Sequence, residues 1–294
     1  MRKRLVYRAD DIGYTKTFND GAFKAIENGI VTSADVMFDT PGAVDALERL
    51  RDYPWISVGW HSGHLWGSAV ADPKLVPHMV DATGKFLWGH NSKLMADVPY
   101  EEAYIEFEAQ VQLCIKTLGR APDTTDVMFE RPIDRAKMDV CDKYGIVYRF
   151  CGGINPSGIS MVVKPEYQHL RYNEYADPNV PKRQPGHDRR KGFSLDQFHL
   201  YDPVSKIKGV TWESDEIWRV GGHPGFLDDY ILSESSCNIH RVKDIIAVTS
   251  DELKAWIADE GIELVNQRDI LFGTNEFQDH LRAIGSKMAI DANT

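Results

Sequence analysis

The strongest constraint on the fold is the alternation, along the chain, of short β-rich runs with longer segments of helical period. Such alternation is typical of βα units arranged around a parallel sheet. The predicted strands cover residues 5–9, 35–38, 56–60, 126–129, 146–150, 218–222 and 262–265. These strands predict an α/β protein whose sheet is a closed or nearly closed parallel barrel.

Three of the intervening segments have clear helix signals, and each is closed by a glycine. They cover residues 17–29, 100–118 and 249–261. In the first segment, Gly29 suits a C′ position that needs a positive φ. The third opens with Thr249 three residues before Glu252, which is the spacing of a capping box.

Two regions interrupt the alternation, residues 62–99 and 152–215. Both follow predicted strand ends, are rich in Gly, Pro, Asp and aromatic residues, and have no clear period. We therefore expect long loops over the C-terminal face of the barrel. No internal repeat or low-complexity tract divides the chain, so a single domain over residues 1–294 is predicted.

Composition narrows the classes of partner and compartment. A formal net charge of -10 disfavours nucleic acid and anionic membrane surfaces, and favours neutral or weakly charged small substrates. The four cysteines are scattered without a CxxC pair, which argues against a zinc cage or a disulfide scaffold. With no apolar leader or membrane-spanning run either, we expect a soluble protein of the reducing cytoplasm.

The ionisable residues that are most out of place in apolar surroundings follow predicted strand ends. They are Asp10, Asp11, His61, Glu130 and His223. In a parallel barrel all of these ends lie on one face, where βα loops build active sites. Asp10 and Asp11 are adjacent, so their side chains should take different directions and different roles.

Carboxylates and imidazoles brought together in this way predict a bound divalent metal ion, because a cation offsets the repulsion between the carboxylates. This donor set suits zinc and related ions, whose bound water is a nucleophile near neutral pH, so the chemistry indicated is hydrolysis. The competing interpretation is structural. An Asp at a strand end is commonly a turn residue or a helix N-cap, and Asp11 could cap the helix that follows it.

Five motifs in order over nearly the whole chain give a family resemblance. They are "RADDIGYTKTFNDGAFKAIENGIVTSADVM", "VGWHSG", "VDATGKF", "GGHPGFLDD" and "RVKDIIAVTSDELKAWIADEGIELVNQRDI". Together they resemble the YdjC-like carbohydrate deacetylases. The resemblance implies a distorted, TIM-like β/α barrel and metal-dependent removal of an acetyl group from an N-acetylated sugar or oligosaccharide.

The resemblance also implies roles for individual residues. Asp10 resembles the family's catalytic base, and Asp11 and His61 resemble metal ligands for a divalent ion, Zn or Mg. His223, in the "HPG" element, resembles a catalytic histidine that protonates the leaving amine or stabilises the oxyanion.

One element departs from the family pattern. Where relatives have "DSHQHVH", this chain has "DVMFERP", so Asp126 matches but Met128, Glu130 and Pro132 replace histidines. Three outcomes are open: Glu130 supplies the missing metal ligand, the metal is held with extra waters, or the site is metal-free and altered or inactive. We favour Glu130, although an ion pair with Arg131 is the competing interpretation. Asp126, at the start of its predicted strand, is interpreted as structural.

Four aromatic residues in or beside the first long loop could form the apolar walls of a sugar site. They are Trp60, Trp66, Phe86 and Trp88. The competing interpretation is that they pack the loop against the barrel. The expected partner is a small carbohydrate, and a homodimer is expected only because barrel families are often dimeric.

Two rival functions remain at this stage. One is a metal-free glycoside hydrolase that uses Asp10 and Glu130 as its carboxylate pair. The other is a catalytically degenerate barrel that binds a sugar or regulates a partner. The missing histidines favour the second rival, whereas the retained Asp10, Asp11 and His61 oppose it.

Overall fold

The computed structural model describes residues 2–61, 65–87, 97–127, 132–150, 194–212 and 217–290. Its strands form one parallel sheet of seven members. They are β1 Arg4–Ile12, β2 Ser33–Val36, β3 Ser57–Trp60, β4 Thr124–Val127, β5 Val147–Phe150, β6 Ile217–Gly222 and β7 Glu263–Leu264. Each predicted strand is confirmed, with bounds that differ by a few residues.

The strand order is β5-β4-β3-β2-β1-β6, and β7 also pairs with β1. Strand β1 is the centre of the sheet, because it pairs in parallel with β2, β6 and β7. The sheet curls into a distorted barrel-like α/β fold, which confirms the predicted fold class. All strands therefore end at the same edge, the edge where the candidate residues were expected.

The two faces of β1 pack against different hydrophobic clusters. Leu5, Tyr7 and Ala9 pack into the large core cluster together with helix residues such as Phe18. Val6, on the opposite face, packs with Ile217 and Val265 in a second cluster. Because side chains alternate along a strand, Arg8 and Asp10 share the face of Val6, so the second face changes from apolar to charged towards the carboxyl ends.

Eleven helices are described, and they include the three that were predicted. They are α1 Lys16–Asn28, α2 Ala43–Leu50, α3 Tyr100–Leu118, α4 Pro132–Tyr144, α5 Leu195–Leu200, α6 Pro203–Lys208, α7 Asp229–Glu234, α8 Arg241–Thr249, α9 Asp251–Asp259, α10 Gln267–Phe272 and α11 Glu276–Ala283. None of the helices in the described ranges is long and apolar enough to cross a bilayer.

Two predicted helix boundaries are wrong in detail. Gly29 has an extended backbone with φ -124°, and it must be small because a Cβ would lie 2.5 Å from the carbonyl oxygen of Ala25. The N-cap of α9 is Ser250, whose hydroxyl accepts from Leu253 N at 3.2 Å. Thr249 instead ends α8, so the predicted N-cap was one residue too early.

The second predicted loop region is also corrected where it is described. Residues 194–212 contain helices α5 and α6 instead of a continuous loop. The local signals were present, because Ser194 forms a capping box with Gln197, and Asp202 caps α6 directly before Pro203. Residues 152–193 lie outside the described ranges, and the single-domain organisation stays a prediction.

Candidate active site at the carboxyl ends of the strands

A β-bulge in β1 determines where the two adjacent aspartates point. Ala9 pairs with Ala34 and Ile12 pairs with Val36, so one extra residue of β1 is accommodated between them. Within the bulge, Asp11 has a positive φ of 62°. Aspartate is one of the few residues that tolerate this left-handed conformation, which is uncommon outside functional sites and turns. The bulge therefore re-aims Asp11 relative to a regular strand.

Asp11 and His61 meet across the sheet edge. Asp11 Oδ1 lies 3.1 Å from Nε2 of His61, which follows β3 directly. The other ring nitrogen of His61, Nδ1, lies 3.7 Å from Asp35 Oδ2. Gly59 makes room for this carboxylate, because a Cβ there would lie 2.0 Å from Asp35 Oδ1. The fold thus brings together Asp11 and His61, the two residues that were predicted to share a cation.

The pKa values of Asp11 and His61 are shifted in opposite directions. Burial disfavours the ionised form of Asp11, but the Arg241 guanidinium and His61 outweigh it and hold the pKa of Asp11 well below its usual range. Burial likewise disfavours charge on His61, yet hydrogen bonds to Asp11 and Asp35 raise the pKa of His61 to about 10. Asp11 is therefore anionic at neutral pH, as a metal ligand must be, whereas His61, protonated beside the two carboxylates, would release its proton on binding a metal ion.

Arg241 is fully buried beside Asp11, and sequence reasoning missed it. Its Nη2 lies 2.7 Å from Asp11 Oδ2, and its Nε donates to the carbonyl of Cys237. The guanidinium also lies over the ring of Phe18, 5.1 Å from its centroid. Arg241 thus connects helix α8 with the bulge of β1.

Asp10 belongs to a different cluster, centred on Arg8. The Arg8 guanidinium contacts Asp10 at 2.6 Å, Asp35 at 2.8 Å and Asp126 at 2.8 Å. Burial raises the pKa of Asp10 against the opposing charge of Arg8, and the neighbouring Asp35 acts in the same direction as burial. Asp10, Asp35 and His61 could geometrically hold a metal ion, but the Arg8 guanidinium already supplies a cation among these carboxylates.

His223 lies at the end of β6, where α8 fixes its backbone. The His223 amide donates to Asp244 Oδ2 at 2.8 Å, while the Tyr201 hydroxyl donates to Asp244 Oδ1 at 2.6 Å. Gly222 must lack a side chain, because a Cβ would lie 2.2 Å from the hydroxyl of Tyr7. These contacts fix the backbone that carries His223 at the sheet edge.

A thiol and a second imidazole surround the His223 ring. Cys237 Sγ lies 3.1 Å from Nε2 of His240, and a ring nitrogen of His223 lies within 4.8 Å of both. Burial lowers the pKa of His223, but Cys237 outweighs this and raises it to about 9. Burial would raise the pKa of Cys237, yet Arg241 and both imidazoles hold it well below its usual range.

Two of the predicted sugar contacts are wrong, because the residues are part of the core. Trp60 is 1% exposed, stacks on Phe38 and donates through Nε1 to Gln110 at 2.9 Å. Phe86 is also buried. Large aromatic rings contribute most to stability when their surface is covered, so the packing interpretation holds for both.

The other sequence-predicted residues have mixed outcomes. Trp66 is half-buried against the core, whereas Trp88 and Glu130 lie outside the described residues. Asp126 does not begin its strand, since β4 starts two residues earlier. The alternative role for Asp11 as a helix cap is wrong, because Thr15 caps α1 and accepts from Phe18 N at 3.1 Å.

Some of the missed residues did leave a signal in the sequence. Arg8 interrupts an apolar strand, and a buried arginine needs anionic partners. Cys237 and His240 have the three-residue spacing of metal-ligand pairs, although no CxxC is present. Their proximity to His223 could not be predicted from spacing, because it depends on the tertiary contact between Asp244 of α8 and the residue that follows β6.

Comparison with known proteins gives consistent matches over most of the chain. The family described as YdjC-like protein matches residues 4–259. A carbohydrate deacetylase from Enterococcus faecalis is 27% identical over 276 residues, covering 91% of this chain and 98% of that protein. One from Brevibacillus brevis is 28% identical over 270 residues, covering 89% of this chain and 97% of that protein.

A solved structure shares the fold. It is a protein of Enterococcus faecalis described as a candidate for cellobiose-phosphate cleavage, with a TM-score of 0.66 and 24% sequence identity. The match covers 90% of this chain and 98% of that chain.

Proposed function

Because the chain belongs to the YdjC-like protein family, we propose that it is a metal-dependent hydrolase that removes the acetyl group of an N-acetylated sugar or oligosaccharide. The observation that carries the proposal is the 3.1 Å approach of Asp11 Oδ1 and His61 Nε2. The curated relatives named above, which are carbohydrate deacetylases, support it.

The donor chemistry of Asp11 and His61 fits a divalent ion, Zn or Mg. A carboxylate oxygen and an imidazole nitrogen face each other, and Asp35 lies behind the second ring nitrogen of His61 at 3.7 Å. A carboxylate in this position orients a ligating histidine and increases its basicity. Among the described residues no third donor group joins this pair, so Glu130 is proposed as the third ligand.

When bound there, a divalent ion would polarise the acetyl carbonyl and lower the pKa of water. Asp10 is proposed to remove the proton of the attacking water as the water oxygen bonds to the carbonyl carbon. A buried carboxyl group whose pKa is raised is a stronger base than an ordinary aspartate, and Arg8 fixes its orientation.

His223 is proposed to protonate the sugar nitrogen as the carbon–nitrogen bond breaks, so that acetate and a free amine leave. Its pKa of about 9 keeps the ring protonated at neutral pH, as a proton donor requires. A protonated imidazole can also stabilise the oxyanion of the tetrahedral intermediate. Trp66 and Trp88 remain the predicted sugar contacts.

The replacement Asp10→Asn tests the proposal. Acetate release from a panel of N-acetylated mono- and disaccharides should fall by about 100-fold or more, because general-base catalysis contributes at least that factor. Asp126→Asn is the matched control, since Asp126 also pairs with Arg8 at 2.8 Å but has no proposed proton-transfer role. Equal rates for wild type and Asp10→Asn would refute the assignment.

Metal dependence is tested separately by treating the protein with a chelator. Acetate release should stop, and it should return when Mg²⁺ or one equivalent of Zn²⁺ is added back. Appearance of reducing sugar ends without acetate, unaffected by the chelator, would instead indicate the glycoside hydrolase that uses Asp10 and Glu130.

A further inference from the structure

A group of three donors lies beside the proposed metal site, and only one of them, His223, has a role in the proposed reaction. It consists of His223 at the end of β6, and Cys237 and His240 directly before α8. One ligand atom of each residue lies within 4.8 Å of the other two. We propose that these residues form a second metal site, selective for a thiophilic ion such as Zn²⁺.

The distances suit one ion. Zinc bonds of about 2.3 Å to sulfur and about 2.0 Å to nitrogen, in tetrahedral geometry, place sulfur and nitrogen about 3.5 Å apart. Cys237 Sγ and His240 Nε2 are 3.1 Å apart. The centroids of the His223 and His240 rings are 6.4 Å apart, with planes inclined at 80°. Small side-chain rotations therefore bring all three donors onto a common centre.

The turn that carries Cys237 is held in place before any ion binds. The Cys237 amide donates to Ser235 Oγ at 3.2 Å, and Arg241 Nε donates to the Cys237 carbonyl. Asn238 Nδ2 closes the same turn through the carbonyl of Ser235 at 3.2 Å. Two ligands from a fixed turn and one from a strand end form a pre-organised site, which lowers the entropic cost of binding.

The donor set distinguishes this site from the Asp11–His61 pair. One sulfur and two imidazole nitrogens favour zinc and copper over magnesium, whereas carboxylate oxygen also accepts the harder ions. His223 and Cys237 are each partly exposed, so solvent reaches this group.

The second metal site is separate from the Asp11–His61 pair, but it shares one residue, His223, with the proposed reaction. Within the part of the chain that the structure describes, no donor of Asp11 or His61 joins the Cys237 group. His223, however, is the proton donor of the proposed reaction. An ion on its ring would occupy that nitrogen, so filling the second site inhibits deacetylation; this consequence rests on the proposed function, whereas binding itself does not.

Cobalt titration of the chelator-treated full chain, in a non-thiol reductant, tests the site. Co²⁺ should produce a sulfur-to-cobalt charge-transfer band in the near ultraviolet, and Cys237→Ser should abolish it. His240→Asn should weaken the binding at least 10-fold. Asp11→Asn and Cys114→Ala should keep the band, since Cys114 is buried in the core away from this group.

The proposal is wrong if wild-type protein shows no band at saturating cobalt, or if the band persists in Cys237→Ser. Circular dichroism of each variant identifies any that fail to fold. Zn²⁺ content by elemental analysis gives an independent readout, because Cys237→Ser should lose one equivalent relative to wild type, whereas Cys114→Ala should lose none.

The inhibitory consequence is measured as the ratio of acetate release with and without excess Zn²⁺ within each variant. The ratio should be about 0.1 or lower in wild type and near 1 in Cys237→Ser. Equal inhibition of both would refute the coupling to His223. If no variant releases acetate under any condition, the proposed function fails, while the cobalt band still decides the second site.

Discussion

Two buried arginines at the carboxyl ends of the strands balance different amounts of negative charge. Arg8 is shared by three carboxylates, Asp10, Asp35 and Asp126, at distances of 2.6 to 2.8 Å. Among the residues that the structure describes, Arg241 contacts a single carboxylate, Asp11, at 2.7 Å. Arg8 therefore faces three anionic partners, one of which, Asp126, also lies 3.7 Å from Arg219, whereas Asp11 has both Arg241 and His61 as cationic partners.

This difference separates two neighbouring aspartates chemically. Burial and the crowded carboxylates raise the pKa of Asp10, while Arg241 and His61 overcome burial and hold the pKa of Asp11 well below its usual range. Titratable neighbours whose environments shift them in opposite directions are the pattern expected of an acid–base group beside a permanent charge. The comparison supports Asp10 as the proton acceptor and Asp11 as the ligand.

The largest effect is expected for Arg8→Met. It leaves buried carboxylates without their shared cation, so the free energy of unfolding should fall by about 3 to 5 kcal/mol near neutral pH, measured by urea denaturation. Arg49→Met is the control, because Arg49 pairs with the exposed Asp20 and should contribute less than about 1 kcal/mol. Equal losses for the two variants would show that the buried carboxylates do not depend on Arg8 for their stability.

Arg241→Met should be less destabilising. Asp11 keeps His61 as a partner at 3.1 Å, so we expect a loss of about 2 kcal/mol in the same urea experiment. A loss greater than that of Arg8→Met would reverse the ranking and contradict the charge count of the two clusters.

The pH dependence of stability should differ in sign between Asp10 and Asp11 when both are measured in chelator. The lowered pKa of Asp11 contributes stability that is present above its unfolded pKa of about 3.9 and is lost as pH falls through the folded value. The raised pKa of Asp10 contributes stability that is present below about 3.9 and is lost as pH rises through the folded value.

Unfolding midpoints of Asp10→Asn and Asp11→Asn, each compared with wild type over a pH series, measure these slopes. The advantage of wild type over Asp11→Asn should grow with rising pH, and its advantage over Asp10→Asn should shrink. Slopes of the same sign would show that the two carboxylates share one environment.

The smallest effect is expected for Asp126→Asn. Its side chain is 20% exposed, and Arg8 keeps Asp10 and Asp35 as partners. The change in the free energy of unfolding should stay below about 1 kcal/mol, again measured with urea. A larger loss would mean that the Arg8–Asp126 ion pair contributes more to stability than the partial exposure of Asp126 suggests.

Much of the fold could be predicted because it depends on local patterns. Short β-rich runs identified every strand that the structure describes, and helical period together with glycine stops identified α1, α3 and α9. Short elements hidden in irregular sequence were missed, as α5 and α6 show, since their caps were not preceded by a clear apolar period.

The approach of Asp11 and His61 was also within reach of the sequence, because parallel strands bring their carboxyl ends to one edge wherever the strands occur in the chain. Tertiary structure alone decided the bulge that re-aims Asp11, the burial of Trp60, and the partners of Arg8 and Arg241. Arg241 and Asp11 are 230 positions apart, and no local period relates residues at that separation. Such contacts depend on strand register and helix packing, which are set by the whole chain at once.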